Sequence, residues 1–235
     1  MRTAAALAAL VLVAACGERP ESPAGAPPPP AAEPAAPPTT ATPAPATDPT
    51  KGMQRGTDDW REVVSTEDAS RLGRLDQAWR LARAEAEDKG FAAQVEALGP
   101  LVDPNAGLAG RLQPAPGDYR CRTVKLGSGG PGGLAYLEYP WFRCAVELTP
   151  GGDLVLTKTT GSQRTRGLLY PDSERRLVFV GAQALGADET GWPTYGQMPE
   201  RDQVGVFERV GPQRWRLVIP WPRVEAKLEI LELAK

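Results

Sequence analysis

Acidic and cationic side chains are the groups with which this chain can do chemistry, because it contains no histidine. That absence removes Ser-His-Asp and Cys-His catalysis, the common zinc sites and the usual base at physiological pH. Hydrolysis by carboxylates would need two acids that face one cleft. Adjacent acids occur at Asp58-Asp59, Glu67-Asp68 and Asp188-Glu189, where they are more typical of helix caps and solvated loops. We therefore assign no catalytic residue, no metal site and no cofactor.

Three arginines alternate with apolar residues in two segments typical of β-strands. In the segment YRCRT, Arg120 and Arg122 take every second position, and Arg143 has the same place in the segment FRC. Because side chains alternate between the two faces of a strand, all three arginines are expected to point outward when their neighbours point inward. Guanidinium groups suit carboxylates and phosphates. The spacing therefore predicts an outward patch that contacts an anionic partner.

The alternative for these arginines is a solubilising face. In that case nearby acids such as Glu138 and Glu147 would partner them. Arg164 and Arg166 lie in a further polar run and would extend the patch if it is one.

Cys16 follows a segment with the properties of a signal peptide. Arg2 supplies a positive end, and the apolar run Ala4–Ala15 is shorter than the roughly 20 residues that span a bilayer. The run ends in Val-Ala-Ala-Cys, which resembles the lipobox of bacterial lipoproteins. The resemblance implies a signal peptide over 1–15 and a lipidated Cys16 as the mature N-terminus. The protein is then expected in a bacterial membrane, facing the periplasm, and Gly17 after the cysteine favours the outer membrane.

A proline- and alanine-rich segment follows the lipidation site. It covers 16–57 and has almost no large apolar residues, so it cannot offset the entropy of ordering. We expect a disordered tether that favours the extended polyproline II form.

The two other cysteines, Cys121 and Cys144, both fall on the apolar face of strand-like runs. In an oxidising periplasm they are expected to pair as a structural disulfide. A redox-active pair is the alternative, but the spacing is not C-x-x-C.

The segment 58–110 is expected to be a helical hairpin that packs on the rest of the domain. Ser65 is a predicted N-cap. Apolar residues then recur at three- and four-residue steps up to Gly90, which is a predicted C-cap. A second short helix is expected over 91–98.

The segment 111–235 reads as seven or eight short alternating strands joined by glycine- and proline-containing turns. This pattern predicts a mainly β (α+β) fold, in which an antiparallel up-and-down meander closes into a barrel-like sheet. A half-open curved sheet with the helices over one end is the alternative. The alternation slips by one residue between Ile230 and Leu231, which indicates either a bulge or a short terminal helical turn.

Two further motifs have a structural interpretation. The string GSGGPG, Gly127–Gly132, matches a dinucleotide-binding pattern but precedes a strand-like segment, so we expect a hairpin loop. Trp141 and Trp221 lie beside prolines, where they can either stack on a ligand or plug an end of the barrel, and we favour plugging.

Six phrases in the C-terminal part resemble a bacterial family of unknown function, DUF4893. They are GDYRCRTVKLG, YPWFRC, TGSQR, LLYPD, ERDQVGVFERVGPQRWRLVIPWP and LEILEL, in this order along the chain. The resemblance implies a secreted or lipoprotein location in Gram-negative bacteria. It brings no activity, so it assigns no catalytic residue.

These observations favour a tethered envelope lipoprotein that acts as a non-enzymatic binding or envelope-support module. Its partners would be the membrane, through the lipid anchor, and either an anionic envelope component or a protein. A net charge of −2 without a basic block argues against nucleic acid. A carboxylate-based envelope hydrolase and a periplasmic inhibitor or partner-binding protein are the alternatives.

Overall fold

The computed structural model describes residues 57–235. The predicted signal peptide, the lipidation site at Cys16 and all of the predicted tether except its last residue lie outside these residues. The described residues belong to one compact unit. Among them, no helix is long and apolar enough to cross a membrane.

The first part of the described chain is helical, as the sequence predicts. It contains α1 (Thr66–Gly73), α2 (Leu75–Ala86) and α3 (Ala92–Ala97), with 3₁₀ turns at Trp60–Glu62 and Gly99–Leu101. Ser65 is the N-cap, and its hydroxyl accepts from the Asp68 N–H at 3.2 Å. Arg74 leaves helical geometry, so the first predicted helix is two. Gly90 adopts φ +91°, the left-handed conformation that glycine tolerates, and interrupts the chain between α2 and α3.

The remainder forms nine antiparallel strands. They are β1 (Gly117–Ser128), β2 (Tyr136–Glu138), β3 (Phe142–Leu148), β4 (Leu154–Lys158), β5 (Gln163–Pro171), β6 (Leu177–Leu185), β7 (Asp202–Gly211), β8 (Arg214–Pro220) and β9 (Ala226–Ala234). Strands β3 to β9 pair in chain order, and β1 pairs with both β3 and β9. Eight strands therefore close into a barrel, and the half-open alternative does not apply. Strand β2 pairs with the far half of β1, beyond β3.

Apolar side chains from every barrel strand fill the interior. Tyr119, Cys121 and Cys144 belong to this cluster, together with Leu112 from the segment before β1. Gly167 and Gly181 are opposite each other on β5 and β6, and a Cβ at either would lie within 2.7 Å of the Phe179 ring. Their lack of a side chain makes room for that ring in the core.

The helical segment covers the outer surface of the barrel. Ala78, Trp79 and Ala82 of α2 pack against outward apolar residues of β1, β8 and β9. A second outer cluster joins Val63 to outward residues of β4, β5, β6 and β7. The barrel wall is thus apolar on both faces over much of its circumference.

This two-sided burial explains the slip in β9, for which both predicted explanations were wrong. Strand β9 runs without a bulge, and its register with β8 is continuous from Leu228 to Ala234. Leu231 and Leu233 face the barrel interior, whereas Leu228 and Ile230 face the helices. The large apolar residues occupy even positions up to Ile230 and odd positions from Leu231 because both faces of the strand are buried.

Candidate functional site

The predicted surface arginines lie together on the outer face of β1 and β3. We call Arg120, Arg122, Trp141 and Arg143 the arginine patch. Arg120 and Arg143 are directly opposite each other in the β1–β3 register. The Trp141 ring lies 4.5 Å from the Arg120 guanidinium carbon and 5.0 Å from that of Arg122. Trp141 is 41% exposed, so the prediction that it plugs a barrel end was wrong.

The three arginines of the patch differ in their partners. Arg122 forms ion pairs with Glu138 and with Glu232, the latter at 2.5 Å. Among residues 57–235, no carboxylate lies within ion-pair distance of Arg120 or Arg143. Glu147, the other acid expected to neutralise this face, pairs with Arg166. The solubilising-face alternative therefore holds for Arg122, which has acidic partners, and not for Arg120 or Arg143.

The predicted disulfide lies directly beneath this pair of like charges. Cys121 and Cys144 are bonded, with their Cα atoms 5.8 Å apart, and both are buried in the barrel interior. Each cysteine is the chain neighbour of one of the unpaired arginines. The cross-link thus joins β1 to β3 where Arg120 and Arg143 face each other.

Arg164 and Arg166 lie on the outer face of β5, two strands away from β3. They extend the cationic surface only in part, because the loop after β6 covers them and leaves them 9% and 6% exposed. The Trp192 ring of that loop is 5.2 Å from the Arg164 guanidinium carbon and 5.6 Å from that of Arg166. Nothing in the sequence indicated that a tryptophan would cover them.

A cluster of charges at one mouth of the barrel was not expected from the sequence. Lys125, Lys158 and Glu229 continue the inward-facing rows of β1, β4 and β9 and are almost fully buried. Lys125 lies 2.6 Å from Glu225 and 3.6 Å from Glu229. Burial acts to lower its pKa, but the two glutamates outweigh burial and raise it.

For Lys158 the charge of Glu229 offsets the effect of burial on the pKa only in part. The Lys158 Nζ donates to the Gln163 carbonyl at 2.7 Å and lies 4.1 Å from the centre of the Phe142 ring. Burial, with the nearby charges of Lys125 and Arg164, lowers its pKa to about 8. A cavity of about 440 Å³ adjoins this mouth and is lined by Lys125, Glu225 and the glycine-rich hairpin. That hairpin joins β1 to β2, as expected for the GSGGPG string.

Two buried acids lie where α1 meets β7. Asp68 pairs with Arg71 and accepts a hydrogen bond from the Tyr195 hydroxyl. The Gly196 N–H donates to both oxygens of Asp202, at 2.9 and 3.1 Å. Burial raises the pKa of Asp202, and the charge of Asp68 adds to the effect. Asp202 and Tyr195 line a cavity of about 390 Å³.

The sequence singled out Asp68 only as one of two adjacent acids typical of helix caps. It did not point to Asp202, which lies far from α1 in the chain. Burial and the charge of Asp68 also raise the pKa of the Tyr195 hydroxyl, to about 12. Within residues 57–235, no cluster of three or more acidic, cysteine or histidine side chains could hold a metal ion.

Comparison with known proteins gives one match. A family model described as a domain of unknown function, DUF4893, matches residues 60–233. No curated protein and no solved structure matches the chain.

Proposed function

The chain belongs to the DUF4893 family of domains of unknown function, and since that description assigns no activity, we propose a function from the geometry of the arginine patch. The protein is a tethered bacterial envelope lipoprotein whose barrel is a non-enzymatic binding module. It contacts the carboxylates or phosphates of an anionic envelope component through Arg120, Arg143 and Trp141.

The single observation that carries this proposal is the cross-strand pair of Arg120 and Arg143. Like charges directly opposite each other destabilise a sheet. Among the described residues no carboxylate neutralises these two, although Arg122 beside them has two acidic partners. A bound anion would relieve the repulsion. Because the repulsion raises the free energy of the unbound protein, it favours binding.

The chemistry of the patch supports the same partner. Both unpaired arginines are exposed, and each guanidinium can present a planar fork to a carboxylate or a phosphate. The exposed Trp141 ring adds an apolar surface for stacking. The disulfide beneath the pair fixes the spacing of the two strands, so the patch is held in place before the partner binds.

A sedimentation assay with the purified Cys16→Ser chain, which cannot be acylated and so cannot bind vesicles through a lipid anchor, tests the binding function. Purified cell wall forms one arm, and vesicles of zwitterionic lipid with anionic phospholipid form the other. We expect binding in one of them at low salt and its loss at high salt, because exposed charges are screened. Arg120→Gln/Arg143→Gln is expected to abolish it.

The matched control is Arg80→Gln/Arg175→Gln, which removes the same charge from exposed arginines elsewhere. It should bind as the wild type does. Equal binding by the patch variant and the wild type would refute the proposal, and the two arms distinguish cell-wall from lipid anions.

The proposed location has its own test. Several acyl chains on Cys16 would hold the protein at a membrane far better than one chain does. Cys16→Ser is therefore expected to move the protein from the membrane fraction to the soluble periplasmic fraction. A wild-type N-terminal peptide without an acyl mass would contradict this.

A carboxylate-based envelope hydrolase is the second candidate, and the buried acids favour it. Burial and the charge of Asp68 raise the pKa of Asp202, and a raised pKa suits a carboxyl group to act as a general acid. Release of soluble fragments from cell wall, lost in Asp202→Asn, would establish it. No release by the wild type would leave Asp68 and Asp202 as a structural link between α1 and β7.

A further inference from the structure

Three buried hydrogen-bond donors without an acceptor belong to side chains that meet where the loop after β6 covers β5. Within residues 57–235, the buried side-chain polar atoms without a partner are Nε of Arg164, Nε of Arg166 and Nε1 of Trp192. A buried donor without an acceptor costs free energy, and folded proteins rarely leave one. Here all three belong to one cluster, in which the indole ring lies within 5.6 Å of both guanidinium carbons.

The contacts already present do not use these atoms. The cation–π contacts involve the face of the Trp192 ring, whereas its N–H points outward from the ring edge. Arg164 donates through Nη2 to the carbonyls of Gly186 and Glu189, and Arg166 donates through Nη1 to Thr157 and Glu147. In each arginine one terminal nitrogen donates to these acceptors, and the Nε–H has no partner.

The charge balance around the cluster is positive. Arg166 has Glu147 at 3.3 Å, but among the described residues no carboxylate lies within 4 Å of Arg164. The carboxylate of Glu189, the nearest acid on the covering loop, pairs with Arg201 at 2.5 Å. Two guanidinium groups against one acid leave a net charge of about +1 beside the three donors.

We propose that Arg164, Arg166 and Trp192 form a binding site for an oxyanion group, a phosphate or a carboxylate of single negative charge. One water molecule accepts two hydrogen bonds and must also donate its own hydrogens. An oxyanion accepts from all three donors and neutralises the excess charge. The partly exposed Trp192 leaves the rim of the site reachable from solvent. The site shares no residue with the arginine patch and does not depend on its function.

The indole N–H of Trp192 provides a direct readout. In ¹⁵N-labelled full chain, its resonance is identified by its loss in Trp192→Phe. Titration with sodium phosphate, and separately with sodium acetate, is compared with sodium chloride at equal ionic strength. We expect a shift that saturates with phosphate or acetate and not with chloride, and the two arms tell a phosphate site from a carboxylate site.

Two variants and a control test the assignment. Arg164→Gln is expected to weaken binding at least about tenfold, because it removes a charge-assisted donor. Arg164→Lys, which keeps the charge without the Nε–H, should fall between this variant and the wild type. Arg175→Gln, an exposed arginine elsewhere, should leave binding unchanged.

The Trp215 indole N–H, bonded to the Leu112 carbonyl at 2.8 Å, shows in the same spectra that each variant is folded. Absence of a saturable shift with both oxyanions would overturn the proposal and indicate buried water. Equal affinity in wild type and Arg164→Gln would overturn it as well.

Discussion

Arg216 and the Arg120–Arg143 pair lie on the outer face of the same barrel, yet their guanidinium groups have opposite surroundings. Arg216 is fully buried against the Trp79 ring of α2 and pairs with Glu208 at 2.7 Å. It also donates to backbone carbonyls in the turn after α3, at Pro100, Leu101 and Asp103. Its donors are used within the fold, whereas no acid among residues 57–235 pairs with Arg120 or Arg143, which are opposite each other on β1 and β3.

The difference separates a structural role from the proposed binding role. An arginine whose donors are all engaged inside the protein joins parts of the fold, and here Arg216 joins the helical segment to β8. Two exposed arginines that repel each other contribute nothing comparable to folding. Residue type and strand position alone do not distinguish the two cases, because Arg216 alternates with apolar residues just as Arg120 does.

The largest expected effect on stability comes from the buried member of this comparison. Arg216→Met should lower the free energy of unfolding by about 3–5 kcal/mol, because it leaves Glu208 and several carbonyls without their partner. Urea unfolding of wild type and variant measures the difference. A loss below about 1 kcal/mol would mean that Arg216 does not hold the helical segment on the barrel.

Reduction of the disulfide tests how β1 and β3 stay together beneath the arginine pair. Opening a loop with a sequence separation of 23 residues should cost about 3 kcal/mol. Urea unfolding with and without reductant gives the value. In Arg143→Gln the cost of reduction should be larger, because in the wild type the reduced strands can move apart and relieve the repulsion that the disulfide maintains. An equal cost in both proteins would show that the like charges do not strain the pairing.

The two buried lysines repeat the comparison inside the barrel. Burial lowers the pKa of Lys158 to about 8, so between pH 8 and 10.5 the unfolded chain binds more protons than the folded one. The contribution of Lys158 to the free energy of unfolding therefore rises with pH, by about 2 kcal/mol between pH 7 and pH 9.5.

The measurement is urea unfolding at both pH values for wild type and Lys158→Met. The increase in the free energy of unfolding from pH 7 to pH 9.5 should be smaller by about 2 kcal/mol in the variant. Lys125 differs because Glu229 and Glu225 raise its pKa. Its contribution to the free energy of unfolding therefore does not increase with pH. Identical pH dependence in wild type and Lys158→Met would refute the lowered pKa.

The smallest effect on stability is expected at the patch itself. Arg120→Gln/Arg143→Gln should leave the free energy of unfolding unchanged or raise it by up to about 0.5 kcal/mol, because a repulsive pair is removed. The same urea experiment measures it. A loss of more than about 1 kcal/mol would assign these arginines to the fold and remove the basis for a binding role.

Local patterns were sufficient for a large part of the fold. The Ser65 cap, the break at Gly90 and the meander of strands follow from residue types at fixed spacing. The Cys121–Cys144 pair follows from the apolar face that the two cysteines share and from the expected oxidising compartment. The same alternation placed Arg120, Arg122 and Arg143 on the outer face. These features depend on neighbours in the chain or in the next strand, which a sequence displays directly.

Only the tertiary structure decided the partners of the charged groups. Closure through β1 and β9 brought Lys125 beside Glu229, and the loop after β6 brought Trp192 over Arg164 and Arg166. Such contacts join residues far apart in the chain, and alternation gives the face of a strand but not what covers it. The sequence by itself determined the order and the faces of the elements. Packing between residues far apart in the chain decided which arginines have acidic partners among residues 57–235 and which have none.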